Sequence, residues 1–240
     1  MKTLNFKIIL SGLIALSALS SCMLDNCVKG SGTEAKEDRK VAAFTKIDVS
    51  GGYNITLKQD SSLTLNIAAD DNLLKLIQTD IEGDKLVIHT QRNICANHPI
   101  TITIGVKNLE EIKGSGGIEV VSDGKLNVKD LNLNFSGAGK VDLDLTADHV
   151  NTKGSGSTEL TLKGQATSHT LNLTGSGKIS ALDFVVGTYD IETTGASDGK
   201  INVVNELNVH TTGASELEYR GNPAHVNSSK TGAASIKKID

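Results

Sequence analysis

Leu171-Asn172-Leu173-Thr174-Gly175-Ser176-Gly177 holds the pattern that decides the fold: an apolar residue, then, four positions on, a glycine followed by small residues. Seven such centres run through the C-terminal half: Gly114-Ser115-Gly116, Gly137-Ala138-Gly139, Gly154-Ser155-Gly156, Gly175-Ser176-Gly177, Gly195-Ala196-Ser197, Gly213-Ala214-Ser215 and Gly232-Ala233-Ala234. Their first glycines are 23, 17, 21, 20, 18 and 19 residues apart. The apolar residue four positions earlier recurs as Leu133, Val150, Leu171, Ile191 and Val209. A fixed period of this length means stacked copies of one small unit, none of which buries its apolar face alone.

Between the centres, apolar residues alternate with polar ones, as in Val141, Leu143 and Leu145, in Leu160 and Leu162, and in Ile201 and Val203. Period two is the strand signal, and no helical period appears in residues 118–240. Each copy therefore reads as strand, glycine corner, strand, loop. The expected architecture is all-β: a single-stranded parallel solenoid with coils of about 20 residues, strands of successive coils lying about 4.8 Å apart. Glycine suits the corner because it accepts positive φ and has no Cβ to strike the adjoining coil. The corner glycines are assigned as Gly114, Gly137, Gly154, Gly175, Gly195, Gly213 and Gly232.

Residues 41–110 carry the same strand chemistry in a different cadence, with Asn54-Ile55-Thr56-Leu57 and Leu63-Thr64-Leu65-Asn66-Ile67 flanking an Asp60-Ser61-Ser62 turn. One helical signal stands out near 71–78, where Leu73, Leu74, Leu76 and Ile77 follow an Asp in capping position.

The N-terminus reads as a leader. Lys2 and Lys7 precede the apolar run Ile8–Leu19, far shorter than the roughly 20 residues a membrane-spanning helix needs. It ends in Leu19-Ser20-Ser21-Cys22, the pattern of a bacterial lipobox, whose cysteine is diacylated and becomes the new N-terminus. The expected organisation is a lipoprotein signal peptide at 1–21, a lipidated N-terminus and flexible spacer at 22–40, and one domain at 41–240. Loss of Lys2 and Lys7 takes the formal charge from −4 to −6. An acidic chain with three arginines and no tryptophan is a poor nucleic-acid binder, and the membrane is reached through the lipid alone. Cys27 and Cys95 are the remaining cysteines, and in an exported chain they pair as a disulfide or stay as inert thiols.

At this point the chain resembles a known family. The lipobox, Phe44-x-x-Ile47-x-Val49-Ser50-Gly51-Gly52, Asp70-Asp71-Asn72-Leu73-Leu74, Asn108-Leu109-Glu110-Glu111-Ile112 and the Gly-Ser-Gly repeats are similar to the putative auto-transporter adhesin, head GIN domain family. The resemblance covers nearly all of residues 40–240. It implies a right-handed parallel β-helix, in agreement with the coil reading, a bacterial envelope lipoprotein of the outer membrane, and no catalytic residue that can be carried over.

Parallel β-helices that cleave polysaccharides cluster Asp residues with a Lys or Arg base on neighbouring coils. Here Asp142, Asp144, Asp183, Asp190 and Asp198 are scattered one or two to a coil, and no hydrolase, zinc-protease or phosphate-loop motif is present. His149 and His169 lie 20 residues apart but at different offsets from their glycines, so they read as solvent-facing loop residues, as does His225. No catalytic residue, metal ligand or cofactor is assigned. Three readings stay open: a non-catalytic, adhesin-like lipoprotein binding a glycan or surface protein, a structural envelope scaffold, and a β-helix lyase or hydrolase. Binding predicts a polar, slightly aromatic face with Tyr53, Tyr189 or Tyr219 outward. An enzyme predicts convergent carboxylates.

Overall fold

The structure, a computed structural model, describes residues 26–240; the leader and Cys22 lie outside the described residues. The described chain is all-β. Its strands are β1 (Val28–Lys29), β2 (Glu34–Lys40), β3 (Lys46–Gln59), β4 (Thr64–Asp70), β5 (Ile77–Glu82) and β6 (Lys85–Thr90). They continue as β7 (Ile94–Cys95), β8 (Thr101–Val106), β9 (Glu111–Asn127), β10 (Asp130–Arg220) and β11 (His225–Lys238).

The 91 residues of β10 would reach roughly 300 Å if straight, at about 3.3 Å each. Instead β10 returns on itself. The Asn151 side chain donates to Asn132 at 3.2 Å, Thr193 to Thr211 at 2.9 Å, and Asn208 to Asp190 at 2.8 Å. Both ends of this stack are parallel: β9 pairs with β3 and with the first part of β10, and β11 pairs with the last part.

A column of glycines marks the bend of each layer. Gly51, Gly116, Gly137, Gly156, Gly175, Gly195, Gly213 and Gly232 all have φ between 96° and 138°. They stack directly, with Gly51 opposite Gly116, Gly116 opposite Gly137, and Gly213 opposite Gly232. A Cβ on Gly137 would lie 2.7 Å from the Gly116 carbonyl oxygen, and one on Gly175 would strike the Gly156 carbonyl. Both the backbone angle and the space below therefore demand glycine.

The column corrects two of the assigned corners. It passes through Gly116 and Gly156, two residues beyond Gly114 and Gly154, and its intervals become 21, 19, 19, 20, 18 and 19 residues. Gly114 and Gly154 point into the core, in the row that Phe135 and Leu173 occupy in the next layers. A Cβ on Gly114 would meet the Phe135 ring at 2.7 Å, and one on Gly154 would meet Leu173 at 2.8 Å. These glycines leave room for a large neighbour rather than turning the chain, which is why the two kinds look alike in sequence.

The N-terminal part departs from a purely parallel stack. β2 pairs antiparallel with β4, β4 with β8, and β5 with β6, so the sheet is mixed. For β5 and β6 a short connection explains this: the tight turn at Gly83, with φ of 66°, allows only an antiparallel return. The expected helix shrinks to a single 3-10 turn, Leu74–Leu76, while Leu73, Leu74 and Ile77 are buried. Asp70 does not cap it, because its carboxylate is engaged elsewhere. Nor are residues 28–40 a flexible spacer. Val28 and Lys29 pair with Ile94 and Cys95, and β2 pairs along its whole length with β4.

The core runs unbroken from Phe44 and Ile47 to Leu217. Its rows are set by alternation on either side of the glycine column: Leu131, Val150, His169, Tyr189 and Leu207 form one inward row, each six residues before its column glycine. Towards the C-terminus the core turns hydroxylic, with Thr193, Thr211 and Ser215 buried and bonded to one another.

Candidate binding surface

Alternation that sends every second residue inward sends the others to solvent, so the column divides the outward residues into two faces. The leading face holds the residues one, three and five places before each column glycine. The trailing face holds those one, three and five places after it.

The trailing face pairs three lysines with glutamates between layers, while Asp142, Asp198 and Glu216 have no ion pair among the described residues. Lys140 meets Glu119 at 2.7 Å, Lys178 meets Glu159 at 3.5 Å, and Lys200 meets Glu218 at 2.8 Å. The ion pairs raise the pKa of Lys140 and Lys200, mainly through the bond each donates to its carboxylate. A hollow of about 550 Å³ on this side is bordered by Lys178, Asp198 and Glu216. Cross-strand pairs of this kind stabilise a sheet modestly.

The leading face is different. Nearest the column stands a row of hydroxyls, Ser136, Ser155, Thr174, Thr194, Thr212 and Thr231. Farthest from it runs a row rich in asparagine, in which Asn151 donates to Asn132, Asn208 to Asp190, and Asn227 to Asn208. Between these rows lie Lys113, which meets Asp48 at 3.4 Å, Asn134, which donates to Glu111 at 2.9 Å, and then Lys153, Asn172, Glu192 and His210. Two hollows open along the face. One of about 320 Å³ is bordered by Lys113, Asn134, Lys153 and Asn172, and one of about 720 Å³ by Asn172, Glu192, Asn208 and His210. The face offers amides, hydroxyls and a few charges whose hydrogen-bonding capacity the fold does not use up.

The model of the family described as "Putative auto-transporter adhesin, head GIN domain" matches residues 43–223. The chain belongs to this family. The head GIN domain is similar to the crystal structure of a putative adhesin from Bacteroides fragilis NCTC 9343, with 26% identity and a TM-score of 0.83 over 88% of this chain and 100% of that one. It shares its fold with a putative adhesin from Parabacteroides merdae, with 22% identity and a TM-score of 0.69 over 89% of this chain and 99% of that one. The same holds for a protein described as a putative lipid binding protein from Parabacteroides distasonis, with 20% identity and a TM-score of 0.69 over the same shares. No curated protein is significantly similar to the chain.

Within the head GIN domain the aromatic residues do not reach either face. Tyr53 and Tyr189 are buried, at 2% and 0% exposure, and Tyr219 is only partly exposed. Burial pushes the Tyr53 phenol up to about 12. The expected aromatic component of a binding face is therefore corrected: tyrosine fills the core, because these positions fall on inward rows.

His169 is corrected in the same way. It is buried, edge-on to Phe184, with its Nε2 2.9 Å from the Thr152 hydroxyl and its Nδ1 without a partner. Burial lowers its pKa to about 3, so it is neutral at physiological pH. His149 points the other way and bonds the Ser168 hydroxyl at 2.8 Å, and His225 is exposed at the start of β11. The one-residue difference in offset, on alternating strands, is what sends the pair to opposite sides.

The five aspartates stay apart. Asp144 sits 3.8 Å from Lys125, Asp190 accepts from Asn208, and Asp183 and Asp198 are exposed on different faces. Asp142 is half-buried on the trailing face. Among the described residues no group of three or more His, Cys, Asp or Glu side chains is placed to hold a metal ion.

The carboxylate that sequence reasoning missed is Asp70. Its side chain is wholly buried and accepts from the backbone N–H of Asn97 at 2.8 Å, of Gly32 at 2.9 Å and of His98 at 3.3 Å, with the His98 ring Nδ1 at 3.0 Å. Burial alone would raise its pKa; these bonds outweigh it and hold the carboxyl down at about 2. Beside it Cys27 and Cys95 form a disulfide with their Cα atoms 5.5 Å apart. Together they tie the N-terminal segment to the fold.

Proposed function

We propose that the protein is a non-catalytic, adhesin-like module of the bacterial envelope, and that its leading face binds an extended polar ligand, a surface glycan or a protein. The observation that carries the reading is the contrast between the faces. The trailing face ties three of its lysines to glutamates of neighbouring layers, whereas the leading face sets Lys153, Asn172, Glu192 and His210 along two hollows. Family membership and the adhesin-like relatives support the same reading. The finer architecture belongs with it: the layers are successive turns of a right-handed parallel solenoid, whose repetition spreads weak contacts along the ligand. Many copies anchored on one cell by acylated Cys22, at the outer membrane, add such contacts into useful avidity.

The test compares faces. Lys153→Ala, Asn172→Ala and His210→Ala on the leading face are set against Lys140→Ala and Lys178→Ala on the trailing face, in glycan-array and envelope-extract binding. Graded losses confined to the leading face are expected, and equal losses from both faces refute the assignment. Polyuronate cleavage abolished by alanine at Asp142, Asp144, Asp190 or Asp198 would instead establish an enzyme. Anchoring is tested separately: Cys22→Ser should abolish palmitate incorporation and globomycin sensitivity.

A further inference from the structure

The N-terminal end of the stack is knotted to the chain that leads into it. The Cys27–Cys95 disulfide is reinforced by Val28 and Lys29 pairing with Ile94 and Cys95, by Asn97 donating to the Gly30 carbonyl at 2.7 Å, and by Asn72 donating to the Lys29 carbonyl at 2.8 Å. Order therefore begins within a few residues of Cys22. If Cys22 carries the lipid, as proposed above, four residues separate it from Cys27, a leash of five backbone steps and at most about 18 Å.

Beyond this end, the layers run from β6 and β8 through β3 and the glycine column to Gly232 in β11. Eight steps at about 4.8 Å make the stack about 38 Å long. The leash is thus about half the length of the body it holds. From these lengths we infer that the N-terminal cap is a membrane-apposed surface: the domain is mounted cap-down on the headgroups, with β11 directed away from the bilayer. A flexible stalk would let either end or either side touch the membrane. A leash this short, ending in a disulfide, favours one end.

Charge agrees with the mount. Hydrogen bonds from Gln91 to the Leu76 carbonyl and from Val28 to the Asn93 carbonyl gather Lys29, Lys75 and Arg92 at this end, against Glu34 and Asp71. The end is close to neutral, whereas the chain after residue 21 carries −6 overall. An anionic leaflet therefore repels the rest of the body more than the cap. The mount also leaves the leading face running outward from the bilayer, open along its length.

The experiment uses the full lipidated protein in vesicles of phosphatidylethanolamine and phosphatidylglycerol bearing an acceptor dye on the headgroups. A donor amino acid is placed at Arg92 or at Ser229. Energy transfer from the Arg92 site is expected to exceed that from Ser229 several-fold. A twelve-residue Gly-Ser insertion between Asp25 and Asn26, adding about 20 Å of reach, is expected to bring the two signals together. Equal transfer from both sites in protein that floats with the vesicles overturns the mount while leaving the anchor intact. Protein that neither floats nor incorporates palmitate overturns both.

Discussion

The two ends of the stack are built from the same strand chemistry and held by opposite means. At the N-terminal end the sheet turns antiparallel, a disulfide closes a separation of 68 residues, and buried Asp70 gathers four hydrogen bonds. At the C-terminal end β11 is almost wholly exposed, and the core beneath it is lined with Thr193, Thr211 and Ser215. The last layer keeps its parallel ladder but has little apolar surface to bury. Lys230, Lys237 and Lys238 stand along this strand, as expected of an edge kept from pairing with other chains. A repeat specifies its interior, where every layer has two neighbours. It does not specify its ends, which need devices of their own.

The largest break in that comparison comes at the N-terminal end. Cys95→Ser releases the disulfide and should cost about 2–4 kcal/mol, chiefly by freeing the unfolded chain. Denaturant unfolding with and without reductant checks it. The wild type should lose the same amount on reduction and the variant nothing.

The repeat itself is next. Gly175→Val places a side chain against the Gly156 carbonyl at a φ of 112°, and should cost about 1–3 kcal/mol from strain and overpacking. Lys163→Val, at an exposed strand position, should cost little. Gly117→Ala sharpens the contrast, since a Cβ there meets nothing within 4 Å and φ is not positive. Equal shifts in Tm for the three variants would remove the column from the account.

Acid separates the end from the middle. Asp70 has its pKa depressed to about 2, so its contribution is complete above the ordinary carboxylate range near 4 and is lost as pH falls from there through about 2. Asp70→Asn should flatten the stability profile in that window. Amide exchange at Gly32 and Asn97 should rise with protonation in the wild type before exchange in β10 does.

How much of this was legible follows from where the constraints act. The period, the strand alternation and the need for glycine at the bend are repeated from layer to layer, so seven copies announce them. The register within a Gly-x-Gly was not legible, because Gly114 and Gly116 differ only in what lies in the next layer: the Phe135 ring for one, the Gly51 carbonyl for the other. Asp70 was hidden for a related reason. Its partners lie 27 to 38 residues away, and nothing local in Asp70-Asp71-Asn72 separates a helix cap from a buried knot. The leading face was foreseen only as outward polar residues. Its difference from the trailing face appears once neighbouring layers are aligned, because charge satisfaction is a property of pairs.

The smallest effect belongs to the middle of the stack and isolates one buried pair. His169 and Thr152 bond only to each other, and His169 Nδ1 is left without a partner. His169→Leu alone strands the Thr152 hydroxyl and should cost about 1–3 kcal/mol. Changing Thr152 to Val as well removes both polar groups, and the double variant should return to within about 1 kcal/mol of the wild type at pH 7. The pH profile then separates packing from protonation. Burial depresses the His169 pKa to about 3, so the unfolded chain takes up the proton first, and this contribution drains away as pH falls from about 6.5 towards 3. Between pH 6.5 and 4, above the window in which Asp70 titrates, the wild type should lose stability faster than the double variant. Parallel profiles over that interval would mean that His169 is hydrated or charged in the fold, and that the middle layers are looser than their buried rows suggest.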